Sequence, residues 1–132
     1  MRSQGTKMSY ALAAEKNKFK DYSARVDREM KDLEELVVRR HVMELLPTLD
    51  ALQAAIDNER DGEARVVFKM IHSSLISTLS ASGLSEIETS GDYDMLKHEA
   101  ASKGDGMKIL NVLRKGYTWH EKVLRAAKVE VG

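Results

Sequence analysis

Apolar residues recur every three or four positions through the first third of the chain. Residues 7–46 contain no proline or glycine and are rich in good helix formers. The pattern predicts one long helix with a narrow apolar stripe, which needs a partner helix to be stable. The stripe that we assign to a dimer interface comprises Leu12, Phe19, Tyr22, Val26, Met30, Leu33 and Val37, with Met8 preceding it.

The spacing within this stripe departs from a strict heptad. Glu15 fills the gap between Leu12 and Phe19, and two four-residue steps follow each other from Tyr22 to Met30. The local period of about 3.67 residues relaxes left-handed supercoiling. Two copies of the helix are therefore expected to lie side by side and nearly straight.

Pro47 interrupts the helical pattern. Because proline is tolerated in the first turn of a helix and not in its interior, we expect a second, short helix to begin there. Its apolar face, also assigned to the dimer interface, is formed by Leu49, Leu52 and Ile56.

A third helix is predicted after the polar stretch 58–62. Gly83 is well placed to cap its C-terminus. Two short amphipathic helices are half of a four-helix bundle, which dimerisation would complete. The apolar face of this third helix carries Val67, Met70, Ile71, Leu75 and Leu79.

The pattern changes to short apolar runs and turn residues after Gly83. Ile109–Leu113 and Val123–Val131 are predicted to be β segments, and Gly104–Gly106 a hairpin turn. The predicted class is α+β with three parts: a dimerisation helix (1–46), two bundle helices (47–83) and a small all-β module (84–132), called the β module below.

Composition favours an oligomer. The 132 residues are 32% charged and 42% hydrophobic, and such a short chain, divided between a long helix and a small β module, buries little on its own. Cysteine is absent, which excludes disulfides and thiolate catalysis. No apolar run approaches the roughly 18 residues of a membrane span, so no membrane association is predicted.

Charge is unevenly distributed although the net charge is zero. Residues 21–61 carry six basic and eleven acidic side chains, whereas residues 103–128 carry seven basic and two acidic ones. The basic end lacks an arginine-rich run or interleaved aromatics, so we predict no nucleic acid binding. A partner protein with an acidic surface matches this basic segment better than a nucleic acid does.

The chain offers no catalytic constellation. His98–Glu99 and His120–Glu121 are adjacent pairs, which point to opposite faces of a strand and cannot chelate one metal. His41 and Glu44 share a helical face without a second pair to accompany them. We predict no metal, no cofactor and no enzymatic activity.

Two motifs at a characteristic separation resemble the GrpE family, the nucleotide exchange factors of DnaK-type chaperones. These are Leu46-Pro47-Thr48-Leu49-Asp50 and the stretch from Gly116-Tyr117 to Val131. Gly83-Leu84 with Ile87, and His98-Glu99-Ala100, are similar to family motifs between them. The resemblance covers roughly residues 19–131.

The resemblance implies a cytoplasmic, stress-related co-chaperone that assists protein folding. It implies a parallel homodimer with paired long helices, a four-helix bundle and one β module per subunit. One β module is then expected to open the cleft of a DnaK-type ATPase domain and release ADP. The residues expected to contact this partner are Gly116, Tyr117, Lys122 and Arg125 in the β module and Arg25 on the long helix.

Gly116-Tyr117 also has a purely structural interpretation, in which glycine permits a bulge while the tyrosine packs over a small sheet. The chain departs from the family pattern at several positions. Ser23 and Ala24 separate Tyr22 from Arg25, and Val66 stands where a glycine is common. These departures motivate an alternative: a dimeric coiled-coil adaptor that keeps the fold without exchange activity.

Overall fold

The computed structural model describes residues 2–132, and the side chains from Ser3 onward. Helices precede strands, which confirms the α+β class. The chain divides into one unit up to Arg40 and another from His41 to Gly132, and each is described by itself. The elements are α1 (Arg2–Asn58), α2 (Gly62–Ser82), β1 (Leu84–Glu86), β2 (His98–Lys103), β3 (Ile109–Arg114), β4 (Tyr117–Trp119), β5 (Lys122–Arg125) and β6 (Ala127–Val131).

The predicted helix break at Pro47 is wrong, because α1 continues through Pro47 to Asn58. Proline in a helix interior removes one backbone hydrogen bond and costs about 3 kcal/mol. Packing on both sides offsets this cost, since Leu46 and Leu49 are buried in one apolar cluster. The chain therefore has one long and one shorter helix instead of a long and two short ones. The four-helix bundle and the parallel dimer stay predictions.

The unit up to Arg40 is a helix with its apolar stripe exposed. Phe19 and Leu33 are 70% and 59% exposed, and only Val26 in the stripe is half-buried. The side-chain contacts described in this unit join residues one turn apart on the same helix. The Lys18 Nζ lies 3.7 Å from the Glu15 Oε1, and the Arg25 guanidinium carbon lies 5.5 Å from the centre of the Tyr22 ring.

Both ends of α2 are capped. At the N-terminus, the Asp61 side chain accepts a hydrogen bond from the Glu63 N–H. At the C-terminus, the Gly83 N–H donates to the backbone carbonyls of Leu79 and Ser80. Gly83 has a φ of +123°, and a Cβ there would lie 2.6 Å from the His120 ring. The predicted cap at Gly83 is confirmed, and its glycine is required by conformation and by space.

The first of two three-stranded sheets has the order β1-β4-β5, with every pair antiparallel. Its inner face packs against α1 and α2. The resulting cluster, called the helix–sheet core, contains Val42, Leu46, Leu49, Leu79, Leu84, Tyr117, Trp119 and Leu124.

The second sheet has the order β2-β6-β3, with β2 parallel and β3 antiparallel to the central β6. Ala127, Val129 and Val131 alternate inward from β6 and are buried with Ile87. The predicted hairpin at Gly104–Gly106 is wrong, because β2 and β3 do not pair with each other. Their connection instead passes the end of β6, where a Cβ on Gly106 would lie 2.6 Å from the Gly132 carbonyl.

Candidate functional site

Lys122 is exposed, unlike the other contact residues predicted in the β module. It begins β5 directly after a two-residue turn, and its side chain is exposed. The turn residues His120 and Glu121 have φ values of 47° and 69°. Two successive positive φ values are typical of the type I′ turns that join twisted strands. The turn is fixed by a hydrogen bond from the His120 N–H to the Gly83 carbonyl (3.1 Å) and by edge contact with the Trp119 ring.

Arg125 is engaged within its own chain. Its guanidinium donates to both carboxylate oxygens of Asp50, at 2.6 and 2.8 Å, and to the Lys115 carbonyl, at 2.5 and 3.1 Å. It also lies 5.6 Å from the centre of the Tyr117 ring. This group of residues is called the Arg125 clamp below. The clamp links the end of α1 to the first sheet across 75 residues of sequence.

Tyr117 is buried, with 1% of its surface exposed, and belongs to the helix–sheet core. Burial, reinforced by the negative charge of Glu86, raises the pKa of Tyr117 to about 12. The strand pairing shifts register between Tyr117 and Thr118, as a β-bulge does. The structural interpretation of Gly116-Tyr117 is therefore confirmed, and Tyr117 offers almost no surface to a partner.

Gly116 is also explained by packing. A Cβ at this position would meet the backbone of the strand β6 at its start, 2.7 Å from the Ala126 carbonyl carbon and 2.8 Å from the Ala127 Cα. The Gly116 carbonyl accepts a hydrogen bond from the Ile87 N–H at 2.9 Å. Glycine is required here because two backbone segments lie closer together than a side chain permits.

Two of the residues assigned to the dimer interface are buried by their own chain. Leu49 is 1% exposed within the helix–sheet core, and Ile56 is also buried, while Leu52 is half-buried. Leu49 and Ile56 stabilise the fold of residues 41–132 and have little surface left for a second copy. In the unit up to Arg40, Arg25 and six of the seven stripe residues are exposed, so their partner contacts stay predictions.

The histidines have structural surroundings. His98 is buried; its Nδ1 accepts the Asp94 N–H at 2.8 Å, and its Nε2 lies 2.8 Å from the Glu88 carbonyl. Burial lowers the pKa of His72, and the positive charge of Lys115 lowers it further. Among residues 2–132, no three histidine or carboxylate side chains are arranged to hold a metal ion.

Sequence reasoning missed two components of this region. Asp50 ends the family-like motif that begins at Leu46, but nothing in the helical pattern indicated that it binds Arg125, 75 residues away. The second is an exposed apolar set on and beside β3, formed by Met107, Leu110 and Leu113. The apolar residues of this set are visible in the sequence, but their exposure is not. In the structure, the exposed leucines alternate with the half-buried Ile109 and Val112, which pack in the second sheet.

The fold and this surface define an α+β chain in which a partly apolar β module, basic in its segment 103–128, follows the helices, the longer of which has an exposed stripe. The sequence profile of the GrpE family matches residues 1–132. Protein GrpE of Thermotoga neapolitana is 32% identical over 118 residues, covering 84% of this chain and 70% of the relative. Protein GrpE of Staphylococcus haemolyticus is 31% identical over 123 residues, covering 86% and 59%.

The chain belongs to the GrpE family. It spans between 56% and 70% of the length of such relatives, the lower value being that for protein GrpE of Thermotoga maritima. In the part of the chain that the structure describes, no helix is both long and apolar enough to cross a bilayer.

Proposed function

We propose that this protein is a homodimeric co-chaperone that promotes ADP release from the ATPase domain of a DnaK-type chaperone. The observation that carries the proposal is the family match along all 132 residues, helices and β module together. The proposed role is one of binding in the cytoplasm, with no enzymatic chemistry, no cofactor and no nucleic acid.

The mechanism follows from linkage. A factor that binds the open form of a nucleotide cleft more tightly than the closed form weakens ADP binding by the same factor. Residues 103–128 of the β module are proposed to form such a surface, because the exposed cation Lys122 follows a fixed turn and this segment carries seven basic side chains against two acidic ones. A basic surface suits an acidic site beside the cleft.

The dimer is supported by the exposed stripe of α1. Phe19, Tyr22, Met30 and Leu33 are each more than half exposed on a helix that is not covered by other parts of its own unit. Such a stripe on one helix is stabilised by a second helix. We therefore propose that two copies pair along α1 in parallel.

The direct test is the rate of labelled ADP release from a DnaK-type ATPase domain in stopped flow, with and without this chain. Acceleration is expected for the wild type. Lys122→Glu reverses one charge on an exposed position and should weaken binding about tenfold, less so at high salt. Lys97→Glu, the same change at an exposed position of the β module outside residues 103–128, is the matched control and should retain most of the effect. Equal rates for wild type and Lys122→Glu would remove Lys122 from the interface.

The adaptor remains the second candidate function, because the buried Tyr117 and the engaged Arg125 reduce the predicted contact set. A wild-type dimer that binds the ATPase domain without accelerating ADP release would favour it over exchange activity.

A further inference from the structure

The Arg125 clamp lies where the packing between α1 and the first sheet stops. On one side of it is the helix–sheet core, which contains Leu49 and Tyr117. On the other is an open groove of about 550 Å³, lined by Gln53, Asp57 and Arg114 as well as by Asp50 and Lys115. Beyond the core, therefore, the end of α1 and the β3–β4 segment are separated by open space.

Apolar packing and a bidentate ion pair constrain a junction differently. Apolar burial is non-directional, so it holds a helix against a sheet without fixing the angle between them closely. A guanidinium that donates to both oxygens of one carboxylate fixes distance and orientation together. Arg125 adds the Lys115 carbonyl as a third acceptor, so a helix, a strand and the β3–β4 connection meet on one side chain.

We propose that Arg125 and Asp50 are positioning residues, which hold the β1-β4-β5 sheet at a fixed orientation to residues 41–58 of α1. In this role they transmit force between helix and β module instead of contacting the chaperone. The exchange part of this inference rests on the proposed function, whereas the orientation part stands on the fold alone.

The exposure of the clamp favours positioning over direct contact. The Arg125 side chain is 14% exposed and that of Asp50 is 35% exposed. All three guanidinium nitrogens already donate hydrogen bonds within the chain. A partner carboxylate would first have to displace Asp50, whose partly buried negative charge would then lose its bidentate partner.

Orientation matters because exchange depends on differential binding. A β module held at one angle fits the open cleft and not the closed one, so binding drives opening. A β module that swings freely can fit both forms, and the coupling between the factor and ADP falls. Loss of the clamp should therefore lower the maximal rate of ADP release at saturating factor, with a smaller change in half-saturating concentration.

The first arm measures orientation without any chaperone. The chain has no cysteine, so nitroxide labels can be placed at the exposed positions Thr48→Cys on α1 and Ser85→Cys on β1. Labelled chain is diluted into excess unlabelled chain, so that only distances within one chain are read. Arg125→Lys keeps the charge and loses the fork; it should broaden the distance distribution. An unchanged width would overturn the proposal.

A second variant distinguishes the loss of a fixed orientation from unfolding of the chain. Removing one partner of a largely buried pair is destabilising, whereas Asp50→Asn/Arg125→Gln leaves no unpaired charge. This double variant should keep the circular dichroism spectrum and Trp119 fluorescence of the wild type while broadening the distance distribution. A double variant that folds with wild-type width would also overturn the proposal.

The second arm measures exchange. Arg125→Lys should lower the maximal ADP release rate about tenfold. Lys122→Gln, a contact variant on the same strand, should instead raise the half-saturating concentration and leave the label distances unchanged. If Arg125→Lys behaves like Lys122→Gln in both measurements, Arg125 is a contact residue and the positioning role is wrong. If the wild type does not accelerate release, the exchange part falls with the proposed function, and the first arm still decides the orientation part.

Discussion

Residues up to Arg40 and residues 41–132 use apolar side chains in opposite ways. In the first unit, large apolar side chains such as Phe19 and Leu33 are exposed on one helix. In the second, two buried clusters take apolar residues from both helices and from every strand except β2 and β3, whose Ala100, Ile109 and Val112 pack against the edge of one cluster. The second unit has a core of its own, and the described residues of the first unit form none.

This contrast separates the residues that stabilise the fold of one chain from those available to pair with another chain. A helix with an exposed stripe gains most of its stability from tertiary packing, and in isolation it is marginal. The β module and the helix ends around it bury two apolar clusters within one chain. Mutations in the first unit should therefore act on assembly, and mutations in the second on folding of a single chain.

The largest effect is expected from Leu33→Asp, which places a charge in the stripe. Because burying an unpaired charge between two helices is costly, the proposed dimer should dissociate toward the 14.8 kDa mass of one chain. Sedimentation equilibrium reads the mass, and Trp119 fluorescence should stay native because Trp119 lies in the helix–sheet core. Asn17→Asp, which adds a charge off the stripe, is the control. If the wild-type chain is already monomeric and fully helical, the first unit does not need a second helix, and this prediction is wrong.

Gly116→Ala should destabilise the second unit by about 3 kcal/mol, because its Cβ has no space beside the Ala126–Ala127 backbone. Urea unfolding followed by Trp119 fluorescence measures the loss. Gly91→Ala is the matched control, since a Cβ there meets nothing within 4 Å. Equal stability of the two variants would show that the close approach relaxes without cost.

A smaller effect of opposite sign is expected at the turn between β4 and β5. Glu121 has a φ of 69°, a conformation that costs a residue with a side chain about 1 kcal/mol more than glycine. Glu121→Gly should raise the stability of the second unit by about that amount in the same urea experiment. His120 is unsuited to this test, because its ring contacts Trp119 and fills the space beside Gly83. A destabilised Glu121→Gly would indicate that the glutamate side chain contributes more than the strain removes.

The smallest effect at neutral pH is expected from the Tyr117 hydroxyl. Its pKa is raised from 10.0 to about 12 in the folded state, so the folded chain holds this proton more tightly than the unfolded chain. Stability from this group is complete below pH 10 and is lost as pH rises toward 12. Tyr117→Phe should flatten this fall in thermal unfolding midpoints. Tyr10→Phe, at an exposed tyrosine of the first unit, should leave it unchanged.

Local signals predicted the parts of the fold that depend on neighbouring residues. Gly83 was recognisable as a cap because the helical pattern ends there. Val123–Val131 was recognisable as β structure, although the structure divides this predicted segment between β5 and β6, which lie in different sheets. Pro47 was misjudged because the burial of Leu46 and Leu49 depends on a sheet formed much later in the chain. Local propensity yields to such packing.

Among the residues predicted to contact the partner, the exposure of Lys122 was predicted correctly and the surroundings of Arg125 were not. Lys122 was expected beside a bend, and it is exposed there. Arg125 was expected at the surface because it is a cation near that bend, and its engagement by Asp50 depends on a distant helix. Gly104–Gly106 looked like a hairpin because hairpins join neighbouring strands, but here the partner of both strands is β6.

The central position of β6 has a consequence for synthesis of the chain. The strands β2 and β3 both pair with β6 and not with each other, so neither has a hydrogen-bonded neighbour in its sheet until Ala127–Val131 has been made. At about 5–20 residues per second, the stretch from the end of β3 to the end of β6 takes about one to three seconds to translate. Until β6 has paired with both strands, the chain presents unpaired strand edges and the apolar Ile109 and Val112, which pack in the second sheet once it has formed. Before its last strand is in place, a protein of a chaperone-associated family is thus itself the kind of chain that chaperones bind.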